Sequence, residues 1–218
     1  MKSIIIDKTV LKNGKTLDQI ASDRVAAVVN LAEPASFEEV FGNLSTCRII
    51  NPEGGQTVLN LSQLNLNSLK GCPSVVETDF HLDSNPNLIN LEFFPREVFG
   101  YTSIQKCESL KSLKGVENLS AGIINAFYFV DNPVLSDISD LNGENFLNNP
   151  TRPTYFTFKN QNLSIQDILL FATAQRKSRG DFNFLTSDYS DEELERAYTL
   201  YERVGFDQDK FKRAMSLI

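Results

Sequence analysis

Pairs of apolar residues three positions apart recur through the middle of the chain, and this repeat constrains the fold more than any other feature. The pairs are Leu66 and Leu69, Leu88 and Leu91, Leu110 and Leu113, and Leu135 and Ile138. Their first members are separated by 22, 22 and 25 residues. A repeat in this range is typical of a solenoid, in which short units stack and bury a shared core. Such stacks usually provide a binding surface rather than a catalytic pocket.

Each pair follows a short segment in which apolar and polar residues alternate. Alternation with a period of two predicts a strand with one buried face. The second apolar position of these predicted strands recurs in five segments, at Leu61, Leu82, Ile104, Phe129 and Phe158. Three positions later, three of the five segments have Asn85, Cys107 or Asn132. We expect these small side chains to hydrogen-bond backbone groups of neighbouring coils, which would otherwise be buried without partners.

This pattern resembles the leucine-rich repeat, L-x-x-L-x-L-x-x-N/C-x-L. The resemblance covers residues 57–165, and it departs from the consensus because two residues, not one, separate Asn85, Cys107 and Asn132 from the next leucine. The phrase Ser68-Leu69-Lys70-Gly71-Cys72-Pro73 is similar to turns in irregular leucine-rich-repeat proteins of bacteria and their large phages. The resemblance implies an α/β fold, a solenoid with a parallel sheet of about five coils and helical caps. It implies little about function.

The segment before the repeats has the signature of a cap. The apolar residues at 1–7 predict a strand, and capping boxes that begin at Thr16 and Ser36 predict two helices. A further strand is predicted at 47–50. A solenoid needs such a cap because its end coil exposes an apolar cross-section.

The segment after the repeats is predicted to be helical. Helices are expected over 164–174, after Ser190 and after Asp207, with a polar break at 175–181. The predicted domains are therefore an N-terminal strand and helical cap (1–56), leucine-rich repeats (57–165) and a C-terminal helical lobe (166–218).

Composition predicts a soluble cytoplasmic protein, in the host cytoplasm if the chain is viral. No apolar run approaches the ~18 residues that a membrane helix needs, and the first residues are too quickly charged for a signal peptide. The three cysteines, Cys47, Cys72 and Cys107, are odd in number and lack C-x-x-C spacing. They therefore predict reduced thiols.

Charge argues against a nucleic-acid partner. The formal net charge is −7, and residues 56–143 contain ten acids against five bases. An acidic repeat surface repels a phosphate backbone, so binding of nucleic acid through this surface is not expected.

Residues suited to catalysis are sparse. His81 is the only histidine and lies between Phe80 and Leu82, beside Asp79 and Asp83. It could form a pH-sensitive contact or half of a metal site, but a solvated strand residue is the preferred interpretation. The sequence contains no G-x-S-x-G, Walker-type or G-x-G-x-x-G motif. We therefore expect no catalytic residues, metal or cofactor.

Residues that alternate with the buried strand positions define a predicted binding face on the concave side of the repeats. Its partner-binding residues are predicted to be Asp79, His81, Asp83, Tyr101, Ser103, Gln105, Tyr128, Val130 and Tyr155. Three tyrosines fall on successive coils, and tyrosine is enriched in interface hot spots. The sequence thus predicts a non-enzymatic module that binds a partner protein. By analogy with phage repeat proteins, the partner could be a host factor.

Three other interpretations stay open. The first is a metal-dependent hydrolase or transferase with a site between the repeats and the helical lobe, using Asp181, Asp188, Asp191 and Glu192. In the second, the helical lobe binds the partner and the solenoid supports it. In the third, exposed edge strands allow self-assembly, giving a monomer or weak homodimer.

Overall fold

The computed structural model describes residues 2–5, 33–50, 58–119, 126–142, 155–159, 162–179, 183–186 and 189–216. Within these ranges the chain forms a β-solenoid with parallel sheets, together with several helices. The helix predicted from the capping box at Thr16 lies outside the described residues, as do Asp181 and Asp188.

Every strand in the described ranges pairs in parallel. In chain order the strands are β1 (Lys2–Ile5), β2 (Ala35–Ser36), β3 (Cys47–Ile50), β4 (Val58–Asn60), β5 (Leu66–Ser68), β6 (Val75–Val76), β7 (Asp79–His81), β8 (Glu97–Val98), β9 (Thr102–Gln105), β10 (Phe127–Val130), β11 (Tyr155–Lys159) and β12 (Asn183–Thr186). They form a six-stranded sheet (β12-β11-β10-β9-β7-β4), a four-stranded sheet (β1-β3-β6-β8) and a two-stranded sheet (β2-β5). The strands predicted near the start of the chain and at 47–50 are confirmed as β1 and β3.

The coils stack with equivalent residues side by side in the six-stranded sheet. Leu59 pairs with Phe80, and Phe80 pairs with Thr102. Phe127 then pairs with Thr102 on one side and with Phe156 on the other. These steps of 21, 22, 25 and 29 residues equal the spacing of the predicted strands, so the predicted register is confirmed.

The leucine pairs line a further side of each coil and lie wholly inside. All eight residues of the four pairs are at most 1% exposed. Backbone hydrogen bonds connect this side between coils, including Leu91 N to Lys114 O at 2.9 Å and Lys111 N to Ile89 O at 3.0 Å. An isolated parallel bridge between Ser112 and Asp137 extends it.

Polar side chains join the coils at the turns after β7, β9 and β10, as predicted. Asn85 is fully buried, accepts a hydrogen bond from Leu66 N at 2.9 Å, and donates to Leu61 O at 3.0 Å and Leu82 O at 2.8 Å. The Cys107 thiol donates to the same Leu82 O at 3.3 Å. These contacts satisfy backbone groups that no strand partner reaches.

A second set of hydrogen bonds of this kind lies further along the solenoid. Asn132 is also fully buried, accepts a hydrogen bond from Cys107 N and donates to Ile104 O, both at 2.9 Å. At both Asn85 and Asn132, the small polar position of the repeat therefore connects one coil to the preceding coil.

Phenylalanines fill the core between the sheets and continue into the C-terminal part. Phe80 packs edge-on against Phe94 at 5.5 Å between ring centroids, and Phe129 stacks on Phe158 at 5.5 Å. Phe171 then packs edge-on against Phe158 at 5.3 Å. Because edge-to-face and offset ring pairs add to the burial of their surface, these contacts fix the helix that contains Phe171 onto the final coils.

The described α-helices are α1 (Phe37–Phe41), α2 (Ile165–Arg179), α3 (Asp191–Arg203) and α4 (Gln208–Met215), with 3₁₀ segments at Val116–Asn118 and Ser139–Asn142. The predicted capping boxes are present at Ser36 with Glu39 and at Ser190 with Glu193. Asp207 caps α4 by accepting from Lys210 N at 2.9 Å.

Two features of the C-terminal part differ from the sequence-based expectation. The polar break predicted at 175–181 is wrong over residues 175–179, which complete α2. Its glutamine, arginine and lysine residues are good helix formers, so local propensity favours continuation. The strand β12 was not predicted, and it extends the six-stranded sheet beyond β11.

The helices build a smaller core of their own. Its buried members are Leu169, Ala197, Tyr201 and Phe211. Ile168 and Phe171 on α2 instead belong to the solenoid core, so α2 is shared between the two. No helix among the described residues is long and apolar enough to cross a membrane.

Candidate interaction face

All nine residues of the predicted binding face lie on or directly beside strands of the six-stranded sheet. They face away from the phenylalanine core, and we call this side the outer face. The alternation is clearest in β10, where Phe127 and Phe129 are fully buried while Tyr128 and Val130 remain partly exposed. Of the nine, only Ser103 is buried, at 3% exposure, and the others are half-buried.

Four rings cross the outer face as a continuous row, which we call the aromatic row: His81, Tyr101, Tyr128 and Tyr155. Adjacent ring centroids are 5.1 Å apart for His81 and Tyr101, 5.7 Å for Tyr101 and Tyr128, and 6.2 Å for Tyr128 and Tyr155. The rings are tilted or perpendicular to one another, with interplanar angles of 44°, 88° and 54°. Each ring therefore supports its neighbour and keeps part of its own surface exposed.

Two carboxylates hold one end of this row in place. Asp79 Oδ1 accepts a hydrogen bond from Tyr101 N at 3.0 Å. Asp83 Oδ1 accepts from Ser103 Oγ at 2.8 Å and from Gln105 N at 2.9 Å. Each aspartate thus bridges two neighbouring coils and uses one carboxylate oxygen to do so.

Glycine at position 100 makes the first of these bridges possible. A Cβ at Gly100 would lie 2.7 Å from the Cα of Asp79, which is closer than any ordinary contact. The absent side chain lets the backbone of Tyr101 approach the Asp79 carboxylate.

The carboxylates also determine the electrostatics around Tyr101. Burial raises the pKa of the Tyr101 phenol above its ordinary value, and the negative charges of Asp79 and Asp83, with the neighbouring Tyr128, raise it further. The phenol therefore stays neutral and can donate a hydrogen bond at physiological pH. Neither aspartate forms an ion pair with any residue that the structure describes.

His81 differs from the solvated strand residue that the sequence favours. It is half-buried, its ring contacts Tyr101, and its Nε2 atom is buried without a hydrogen-bond partner among the described residues. The described ranges contain no cluster of three histidine, cysteine, aspartate or glutamate residues that could hold a metal ion.

Of the four acids proposed for an enzymatic site, Asp181 and Asp188 lie outside the described residues. Asp191 and Glu192 are exposed in the first turn of α3. Acidic residues at this position interact favourably with the helix dipole.

The cysteines have structural positions. Cys47, Cys72 and Cys107 are all buried, and none of them is paired in a disulfide in the structure. Burial raises the pKa of Cys72 far above its ordinary value and that of Cys107 to about 11. Thiols that stay protonated at neutral pH are poor nucleophiles.

Sequence reasoning missed a groove of about 910 Å³ at another corner of the solenoid. Gly71, Phe93 and Gly115 line it, 22 residues apart, and all three have left-handed backbones with φ of 87°, 69° and 114°. Phe93 is 55% exposed. The signal was visible in the sequence, because a phenylalanine occupies the position at which both neighbouring repeats have glycine.

Comparisons with known proteins identify no relative, so the functional proposal rests on the structure alone. No protein-family model, no curated protein and no solved structure matches this chain.

Proposed function

We propose that this protein is a binding module of the leucine-rich-repeat type whose outer face docks a partner protein. The aromatic row is the observation that carries the proposal. It places four rings on a single surface, with the centroids of adjacent rings at most 6.2 Å apart.

The physical chemistry of the row supports docking. Tyrosine presents a large amphipathic surface and loses little conformational entropy when it is immobilised. Here the rings are already held by mutual contact and by the Asp79 bridge to Tyr101 N. Pre-organisation of this kind reduces the entropic cost of association.

The leucine-rich-repeat assignment rests on the buried leucine pairs and on the buried asparagine and cysteine side chains that hydrogen-bond neighbouring coils. Asn85, Cys107 and Asn132 occupy the polar position of the repeat and hydrogen-bond the preceding coil. Solenoids of this kind use an extended sheet face for recognition. If the chain is viral, a host factor is the expected class of partner.

The test is capture of a partner by a purified tagged protein, with the partner identified by mass spectrometry. The triple variant His81→Ala, Tyr101→Ala and Tyr128→Ala is expected to lose the partner while keeping its circular dichroism spectrum. Tyr198→Ala provides the matched control, because this tyrosine is half-exposed on α3 and remote in sequence from the face.

The assignment of the face is refuted if the folded triple variant captures the same partner as the wild type. Loss of capture by Tyr198→Ala alone would instead favour the helical lobe as the binding element.

A further inference from the structure

We infer that the groove beside Phe93 is the contact surface of a homodimer, in which the solenoids of two copies run in opposite directions. The groove is separate from the outer face, because the nine residues of the predicted binding face are all described and none of them lines it. Self-association through the groove would therefore leave both outer faces open. The inference goes beyond the proposed function and does not depend on it.

The first argument is the conformation of Phe93. Its side chain is 55% exposed and its backbone is left-handed, with φ of 69°. A left-handed backbone strains a bulky residue, whereas glycine at the equivalent positions 71 and 115 adopts it readily. The exposed ring also leaves apolar surface in water. Burial of the ring against a second protein removes this surface from water and offsets the strain, and strained residues often mark contact sites.

The second argument is the shape of the surface around the ring. Gly71, Phe93 and Gly115 lie on three successive coils, so the ring stands between two positions without a side chain. The coil of Gly115 lies directly beside that of Phe93, because a Cβ at Gly115 would lie only 2.7 Å from Glu92 N. The surface thus combines one projecting ring with a groove of about 910 Å³, and a second copy offers the same two features.

The third argument is a column of alternating charge at the groove, which we call the charge column. Its members follow one another on successive coils, in the order Lys70, Glu92, Lys114 and Asp140. The first three are spaced by 22 residues. Lys70 and Lys114 pair with acids of their own chain, yet their side chains are 61% and 58% exposed, so both remain accessible to a second protein.

Alternation makes the charge column complementary to itself in reverse. An antiparallel second copy places an acid opposite each base and a base opposite each acid. A partner surface of a single charge would instead meet a like charge at half of the positions, and like charges in contact oppose association. The column therefore favours a second copy of this chain over a uniformly acidic or basic partner.

One symmetry operation satisfies both the rings and the charges. A two-fold axis parallel to the coils, midway between the coil of Phe93 and the coil of Gly115, places each Phe93 over Gly115 of the other copy. The same axis places each Glu92 opposite Lys114 of the other copy. Such a contact uses the same patch on both copies and closes at two of them, so a dimer rather than a fibre is expected.

The first experiment is sedimentation velocity of the full chain over a concentration series up to about 1 mM. We expect a concentration-dependent change from monomer to dimer. Phe93→Gly should weaken the dimer at least about tenfold, because it removes the central aromatic anchor. It should keep its circular dichroism spectrum, since both equivalent positions have glycine. Val134→Ser is the matched control, because Val134 is also an exposed apolar residue, at 39%, but does not line the groove. Its dimer should be as stable as that of the wild type.

The second experiment tests the orientation by reversing charges. Glu92→Lys and Lys114→Glu each place like charges opposite one another twice in the dimer, so each variant alone should associate about tenfold more weakly than the wild type. When the two variants are mixed, every charge in the column again faces an opposite one, and a heterodimer should form. Mixing cannot repair the Glu92–Lys114 ion pair within either chain, so recovery on mixing would report contact between copies.

Three outcomes would each overturn the inference. The first is a wild-type chain that stays monomeric throughout the concentration series. The second is a dimer that Phe93→Gly leaves unchanged, which would place self-association at another surface, such as a sheet edge. The third is a mixture of the two charge variants that associates no better than either variant alone.

Discussion

Replacement of Asn85 by alanine tests whether polar side chains, as well as leucines, hold the solenoid together. Asn85 is fully buried and makes three hydrogen bonds to backbone groups. The change would leave Leu66 N and Leu61 O without this partner, whereas Leu82 O would keep the Cys107 thiol at 3.3 Å. Each orphaned buried group costs about 1–3 kcal/mol, so the free energy of unfolding should fall by roughly 2–6 kcal/mol.

That loss is large against the ~5–15 kcal/mol by which domains are usually stable. Urea unfolding followed by far-ultraviolet circular dichroism measures it directly, and the chain lacks tryptophan, so a fluorescence probe is less convenient. Asn60→Ala is the matched control. Asn60 is exposed and accepts a single hydrogen bond, from Ser62 N at 2.9 Å, so its loss should cost no more than about 1 kcal/mol.

A second variant separates hydrogen bonding from cavity formation. Asn85→Leu restores the lost volume, and leucine is tolerated at the equivalent position of the preceding coil, where Leu64 is 2% exposed. If hydrogen bonding dominates, Asn85→Leu remains about as unstable as Asn85→Ala. Recovery of wild-type stability by leucine, or an alanine variant no weaker than Asn60→Ala, would refute the reasoning.

Three further predictions concern single side chains. Phe93→Gly should leave the free energy of unfolding within about 1 kcal/mol of the wild type, because relief of a left-handed backbone, worth about 1–2 kcal/mol, offsets the lost contacts of a half-exposed ring. Replacement of the buried Phe94 by alanine should instead lower the free energy of unfolding by about 3–5 kcal/mol. Equal losses for the two variants in thermal melts would contradict this prediction. Thr102→Val should stabilise the fold by about 1 kcal/mol, since the Thr102 hydroxyl is buried without a described partner; a lower urea midpoint would show that the hydroxyl is satisfied. The pKa of Cys107 is raised to about 11, so its thiol stays protonated at pH 8. It should not react with Ellman's reagent at that pH until guanidinium unfolds the protein. Rapid labelling of the native chain would contradict its burial.

The repeat strands could be predicted because each one offers two independent signals. In the segment around β7, Phe80 and Leu82 alternate with polar residues, and Asn85 follows at a fixed distance. The register then places the outer face without further information, since side chains alternate across a strand. For the same reason, the proximity of Tyr101, Tyr128 and Tyr155 was predictable, although the tilts of their rings were not.

Other elements gave too little periodic signal. The strands β6 and β8 contain two residues each, and a period of two cannot be recognised in so short a segment. The strand β12 follows a helix and lies beyond the recognisable repeats. Contacts between distant residues, such as the bridge from Asp83 to Gln105 N, depend on the packed coils and are not encoded in local pattern.

The growing distance between equivalent strands has a consequence for how this protein can be altered. The steps lengthen from 21 to 29 residues, yet Leu59, Phe80, Thr102, Phe127 and Phe156 remain side by side. Additional residues are therefore accommodated in the segments that connect successive strands, and the register of the sheet does not shift. Grafts of several residues into such a segment should leave the aromatic row unchanged, so the chain can acquire new loops around an unaltered outer face.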